Sequence, residues 1–142
     1  MTVLLDDHLL RDWMARRDDT LVGAIADEPL ATTNLWYARL CKSAASVGGG
    51  GLLGGWNRTE RQKLIGSLVA LPDEVTILPM RQLAWTMGDL IATYGGLSTL
   101  GAEAIAAALQ LQGGLLVSAR DDGPGIRRCC GALGLPYRVL AR

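Results

Sequence analysis

Short apolar runs alternate with longer stretches of helical spacing along the whole chain. Val3-Leu4-Leu5 stops abruptly at Asp6-Asp7, as a buried strand does where it emerges from a sheet. Leu9, Leu10, Trp13 and Met14 then repeat on one helical face, ended by Arg16-Arg17 and Asp18-Asp19, and Thr20 to Ala26 form a second short helix. Pro29 breaks it. Leu30-Ala31-Thr32 reads as a brief strand, and Thr33 is placed to cap a helix through Trp36, Leu40 and Ala44. Val47 to Gly55 is dominated by glycine and is expected to be the main loop. Thr59 starts a helical pattern through Leu64, Leu68 and Leu71, stopped by Pro72, before the β-branched strand Val75 to Leu78. Met80 to Tyr94 and Ser98 to Gln112 are two helices parted by Gly95-Gly96, with Ser98 as the cap of the second. Leu115-Leu116-Val117 is a fourth strand. Gly123-Pro124-Gly125 turns the chain into a helix to Leu133, and Tyr137 to Leu140 is a fifth strand.

Strands separated by helices imply parallel pairing, because parallel strands need crossover connections. The expected fold class is therefore α/β: a three-layer α/β/α sandwich around a parallel sheet of four to five strands, forming a single domain over residues 1–142. Ligands of such sheets bind outside the carboxyl ends of the strands, which makes Asp6, Asp7, Asp121 and Asp122 the first candidates for chemistry.

Charge narrows the partners. With 14 basic and 14 acidic residues the chain carries no basic footprint, so any nucleic-acid site has to be local. Only Lys42 and Lys63 are lysines, an arginine excess that suits phosphate but also follows from GC-rich coding, the preferred explanation. Cys41, Cys129 and Cys130 have no CxxC spacing, so neither a disulfide framework nor a zinc site is indicated, and a reducing compartment fits. Asp6 and Asp7 interrupt what a signal peptide would need as an apolar run, and Glu103, Gln110 and Gln112 interrupt Leu97 to Val117, so a cytoplasmic protein without membrane contact is expected. The large apolar residues Leu9, Trp13, Leu35, Trp36 and Leu40 exceed what one small domain is expected to cover, which predicts a homodimer. Of the four tryptophans, core packing is the default, and Trp56, beside the glycine loop, is the one candidate for base stacking. Cys129-Cys130 is expected in the core.

Carboxylates gathered from distant segments repel unless a cation or proton compensates, and Mg2+ is the natural occupant of such an oxygen-rich set. A hydrated divalent ion there can activate water against a phosphodiester.

The opening VLLDDHLL, the segment LATTNLWYARL and the tail LGAEAIAAALQLQGGLLVSARDDGPGIRRCCGALGLPYRVL resemble the PIN domains of VapC-type toxins. That resemblance spans most of the chain. It implies a metal-dependent ribonuclease, using Mg2+ or Mn2+, with RNA as substrate and an antitoxin protein as partner. By position it makes Asp6, Glu103 and either Asp121 or Asp122 the catalytic and metal-binding acids. The family's second acid falls near Arg39, where the chain offers no carboxylate; a surface or ion-paired helix residue is the commoner role for such an arginine, and a contact to substrate phosphate is the alternative. His8 stands where a serine or threonine is common, Glu103 is one methylene longer than the family's aspartate, and Arg120 occupies a place often held by aspartate.

Two other readings compete. A response-regulator receiver shares an acidic pair after its first strand, but it needs an aspartate after the third strand and a lysine after the fifth; Leu78-Pro79-Met80 and Leu140-Ala141-Arg142 supply neither. A PIN-like domain without hydrolysis, serving as a binding or assembly module, accommodates the missing glutamate. Gly48 to Gly51 is not followed by Gly-Lys-Ser/Thr, so a phosphate loop is not indicated.

Overall fold

A computed structural model of the chain describes residues 1–46 and 51–142; the glycine-rich positions 47–50, the first part of the expected loop, lie outside the described residues. In chain order the elements are β1 (Val3–Leu5), α1 (Asp7–Ala15), α2 (Asp19–Ile25), β2 (Leu30–Thr32), α3 (Asn34–Ala45), a 3-10 turn at Gly51–Leu53, α4 (Arg58–Val69), β3 (Val75–Ile77), α5 (Met80–Thr93), α6 (Thr99–Leu111), β4 (Gly114–Ser118), α7 (Pro124–Leu133) and β5 (Tyr137–Leu140). Among the described residues the sheet has five strands, all parallel, in the order β3-β2-β1-β4-β5. The α/β/α expectation is met.

The inner strands β1, β2 and β4 are buried on both faces because helices cover both, whereas the edge strands β3 and β5 expose Thr76 and Arg138. Leu4, Leu115 and Val117 face a core with Trp36, Leu83 and Ile105, while Val3, Leu5 and Leu116 face a second core with Leu9, Leu40 and Leu64. The two-residue period of a strand thus sorts one apolar run into two cores. Side-chain caps fix the helix starts: Asp6 accepts from Leu9 N, Asp18 from Leu21 N, Thr33 from Trp36 N, and Ser98 from Gly101 N. Helix α4 starts at Arg58 on an Asn57 cap, one residue before the Thr59 expected from its pattern. Gly125, at the start of α7, has the carbonyl oxygen of Gly96 where a Cβ would sit, at 2.3 Å, so only glycine lets α7 close on the α5–α6 turn.

The premise of the dimer expectation changes here. Leu9, Trp13, Trp36 and Leu40 are buried within the chain's own two cores. The large apolar residues left outside are others, chiefly Trp85 on α5 at 88% exposure and Val69 on α4 at 82%. Trp85 therefore departs from the core-packing default, whereas Cys129 and Cys130 are buried as expected. Among the described residues no helix is long and apolar enough to cross a membrane.

The strand order reverses direction between β1 and β4. Connections run outward from β1 through β2 to β3 on one side and through β4 to β5 on the other, leaving a crevice at the carboxyl ends of the two central strands.

Candidate functional site

The crevice gathers acids because Asp6 and Asp7 follow β1 directly and Asp121 lies in the turn after β4. Asp6 alone separates β1 from α1, so strand passes to helix within one residue. Were β1 to continue, Asp6 and Asp7 would point to opposite faces; because Asp7 already opens the helix, both carboxylates turn into the same pocket. Both are fully buried, so they are not a solvated strand end. Ligand atoms of Asp6, Asp7, His8 and Asp121 all lie within 4.8 Å of one another, a spacing that could hold a metal ion.

Asp6 is clamped. One oxygen accepts from Leu9 N at 2.9 Å, and the other accepts from Ser118 N at 2.7 Å and Ser118 Oγ at 2.6 Å. Burial nevertheless dominates its titration and lifts the carboxyl to about 7, with the Asp121 charge adding to the rise while the Ser118 and Leu9 hydrogen bonds oppose it. Asp121 moves the other way: although burial works against ionisation, His8 and Arg39 hold its carboxyl below the usual range.

Arg39, on the second turn of α3, reaches into the pocket as an internal cation. Its Nε donates to Asp7 Oδ2, and its Nη2 donates to Asp7 Oδ1 at 3.0 Å and to both oxygens of Asp121 at 2.7 and 2.8 Å. These contacts raise the guanidinium further above its ordinary value, led by the Asp7 hydrogen bond. His8 is the second cation. Its Nδ1 lies 3.0 Å from Asp7 Oδ1 and 3.8 Å from Asp121 Oδ2. Burial alone would depress the imidazole, but its bonds to Asp121 and Asp7 raise it to about 9.

A raised folded value means that protonated His8 stabilises the fold fully below its ordinary 6.5 and that this contribution is lost as pH climbs through about 9. Asp6 also loses its contribution on raising pH, but mostly between 3.8 and about 7. Thermal melting followed from pH 6.5 to 9 should therefore show a steeper decline in wild type than in His8→Gln; parallel curves would show that the imidazole carries no charge in the pocket.

The remaining sequence candidates lie elsewhere. Glu103 is fully buried, not on an exposed helix turn; its Oε2 accepts from Asn34 N and Asn34 Nδ2, both at 2.8 Å, and its Oε1 from Leu35 N at 2.9 Å. It caps the first turn of α3 from α6 and is not in the cluster. Asp122 turns toward α7 and β5, pairing with Arg127 and accepting from the Tyr137 hydroxyl at 2.6 Å, so Asp121 is the one that faces the crevice. Trp56 is not free for a base: the Arg16 guanidinium lies 3.9 Å from its ring centroid and that of Arg11 5.4 Å. Asp7 is among the acids expected at the strand ends, although the family resemblance gives it no role, whereas the sequence singles out no role for His8; the DDH run is the signal for both.

By distance the four residues can surround a cation, but by charge they do not fit one with Arg39 in place. Arg39 already engages the oxygens of Asp7 and Asp121, His8 is protonated at neutral pH, and Asp6 is fully hydrogen-bonded. The guanidinium supplies the positive charge that a metal ion would bring.

No family model and no curated protein matches the chain in sequence. Solved structures match its fold. A structure of FitAB bound to an IR36 DNA fragment is similar over 98% of this chain and 94% of the other, with a TM-score of 0.58 at 12% identity. The crystal structure of FitAcB from Neisseria gonorrhoeae is similar over 96% of each chain, with a TM-score of 0.55 at 15% identity. What the chain shares with these structures is the five-stranded parallel α/β/α fold.

Proposed function

We propose that this chain is a PIN-like protein of the VapC toxin type: a Mg2+- or Mn2+-dependent ribonuclease scaffold whose acidic site Arg39 keeps neutralised, so that it cuts RNA weakly. The carrying observation is the convergence of Asp6, Asp7 and Asp121 at the carboxyl edge of the two central strands. In this reading it acts in the cytoplasm beside an antitoxin partner and forms a homodimer, for which exposed Trp85 supplies apolar surface. The fold likeness to FitAB, a structure that holds a DNA fragment, supports the toxin–antitoxin part. Asp6, fixed by Ser118 and the start of α1, is the preorganised acid, and Arg39 is the group that must turn from acid to substrate phosphate.

A second reading has its own support: a module that binds without hydrolysis. Arg39 engages both Asp7 and Asp121, and Glu103 is committed to α3. Cleavage of a labelled RNA separates the two. Wild type should cut slowly with Mn2+, Arg39→Glu should raise metal-dependent cleavage by about 10–100-fold, the scale on which neighbours tune metal sites, and adding Asp6→Asn should abolish it. Absence of both cleavage and Mn2+ binding in wild type and Arg39→Glu would replace the nuclease with the binding module.

A further inference from the structure

On the solvent side of the acidic cluster the chain changes sign. His8, Arg11, Arg39, Arg120 and Arg142, with Ser43, line an open cavity of about 490 Å³, and among the described residues no carboxylate lines it. The acids that pair with these cations stand behind or beside them. Asp7 and Asp121 hold Arg39, Asp12 holds Arg11, and Asp12 and Asp18 hold Arg142. Asp7 is fully buried, and the side chains of Asp12 and Asp121 are only 8% and 13% exposed, whereas that of Asp18, beside Arg142, is 47% exposed. Arg120 is exposed and has no hydrogen-bond or ion-pair partner among the described residues.

We propose that this cavity is a binding site for the phosphate group of a nucleotide-sized ligand. Guanidinium forks match phosphate oxygens in pairs, and a cavity lined by four arginines and a histidine but by no described carboxylate, with Asp7, Asp12 and Asp121 largely buried behind them, presents donors to an anion in a chain of zero formal charge. Free phosphate would fill little of it. At about 490 Å³ the cavity falls within the roughly 300–1,000 Å³ of small-molecule sites, and Gly51, Leu52 and Gly54 give the remainder of a ligand a wall without charge. Of the cations lining the cavity, Arg120 is the one with no partner among the described residues, and is therefore the first contact of an incoming phosphate. Arg39 forms the boundary between cavity and acidic cluster. The site needs no metal ion and breaks no bond, so it stands apart from the nuclease reading.

Phosphate on a free nucleotide and phosphate at the end of an RNA strand offer the same chemistry. Calorimetry on the full chain in EDTA, with AMP, adenosine, inorganic phosphate and a tetranucleotide RNA bearing a 5′-phosphate or a 5′-hydroxyl, tests the site and separates the sources. AMP should bind saturably with a Kd below about 1 mM, inorganic phosphate should compete, and adenosine should not bind. Arg120→Glu, an exposed change that leaves circular dichroism as in wild type, should weaken AMP by about tenfold or more. Tighter binding of the 5′-phosphorylated RNA than of AMP assigns the strand end, and the reverse assigns the free nucleotide; either supports the site. Adenosine binding as well as AMP, Arg120→Glu binding like wild type, or no saturable binding of AMP and phosphorylated RNA would overturn it. Because EDTA removes divalent ions, loss of the nuclease reading leaves this result untouched.

Discussion

Glu103→Ala is expected to lower the stability of the fold by about 3 kcal/mol, with loss of cleavage or binding only in proportion to the unfolded fraction. The carboxylate is fully buried and receives the backbone N–H groups of Asn34 and Leu35 together with the Asn34 side-chain amide. Those backbone groups belong to the first turn of α3, where no intrahelical acceptor exists and the helix dipole favours negative charge. Alanine leaves both without an acceptor where water has poor access. The Asn34 amide keeps a second bond to the carbonyl of Leu78 at 2.7 Å, so the penalty stops short of three full donors. Glu103→Gln retains an acceptor oxygen and should cost about 1–2 kcal/mol. Urea denaturation with an unchanged slope measures both. A stable Glu103→Ala variant that loses divalent-cation binding would return Glu103 to the list of ligands and refute the capping role.

The second large effect is expected from Arg39→Ala. Two carboxylates, Asp7 and Asp121, would lose the guanidinium they share and keep only the His8 imidazole between them. Stranding a charge from a buried pair costs about 3–5 kcal/mol; the Arg39 side chain is 39% exposed and water screens part of the interaction, so about 2–3 kcal/mol is expected at neutral pH. The sign of its pH dependence follows from Asp121, whose folded value is depressed: its stabilising contribution is present above the ordinary carboxylate value of 3.8 and is lost as pH falls. The gap between wild type and Arg39→Ala should therefore narrow on acidification below about pH 4. Arg39→Lys keeps the charge but cannot fork across two acids, and should fall between them. Denaturation midpoints at pH 7 and pH 3.5 provide the check. Equal stability of wild type and Arg39→Ala at pH 7 would mean that the guanidinium does not neutralise the cluster.

The two cores also explain why the monomer covers more apolar surface than its sequence pattern suggested. A sheet between two helical layers has two faces to fill, so Leu9, Trp13, Trp36 and Leu40 find partners within the chain. Apolar pattern fixes how much surface must be covered, and the layer count decides whether one chain can cover it.

Local order carried much of the fold. Short apolar strands parted by helical spacing, Thr33 and Ser98 at helix starts, and Pro72 at a helix end determined the alternating elements and, through the crossover rule, a parallel sheet with acids at its carboxyl edge. Those signals act over a few residues, through backbone hydrogen bonds and side-chain period, and so are legible without coordinates. The site was decided at longer range. Glu103 and Asp121 are both acids after apolar or helical segments, yet one is 69 residues from the amide it caps and the other 82 from the guanidinium it holds. Whether an acid meets a helix terminus, an arginine or another acid depends on which elements the sheet order sets side by side. Charge compensation within a closed pocket is then a property of that arrangement, and the neutralisation of Asp7 and Asp121 by Arg39 exists only in the tertiary structure.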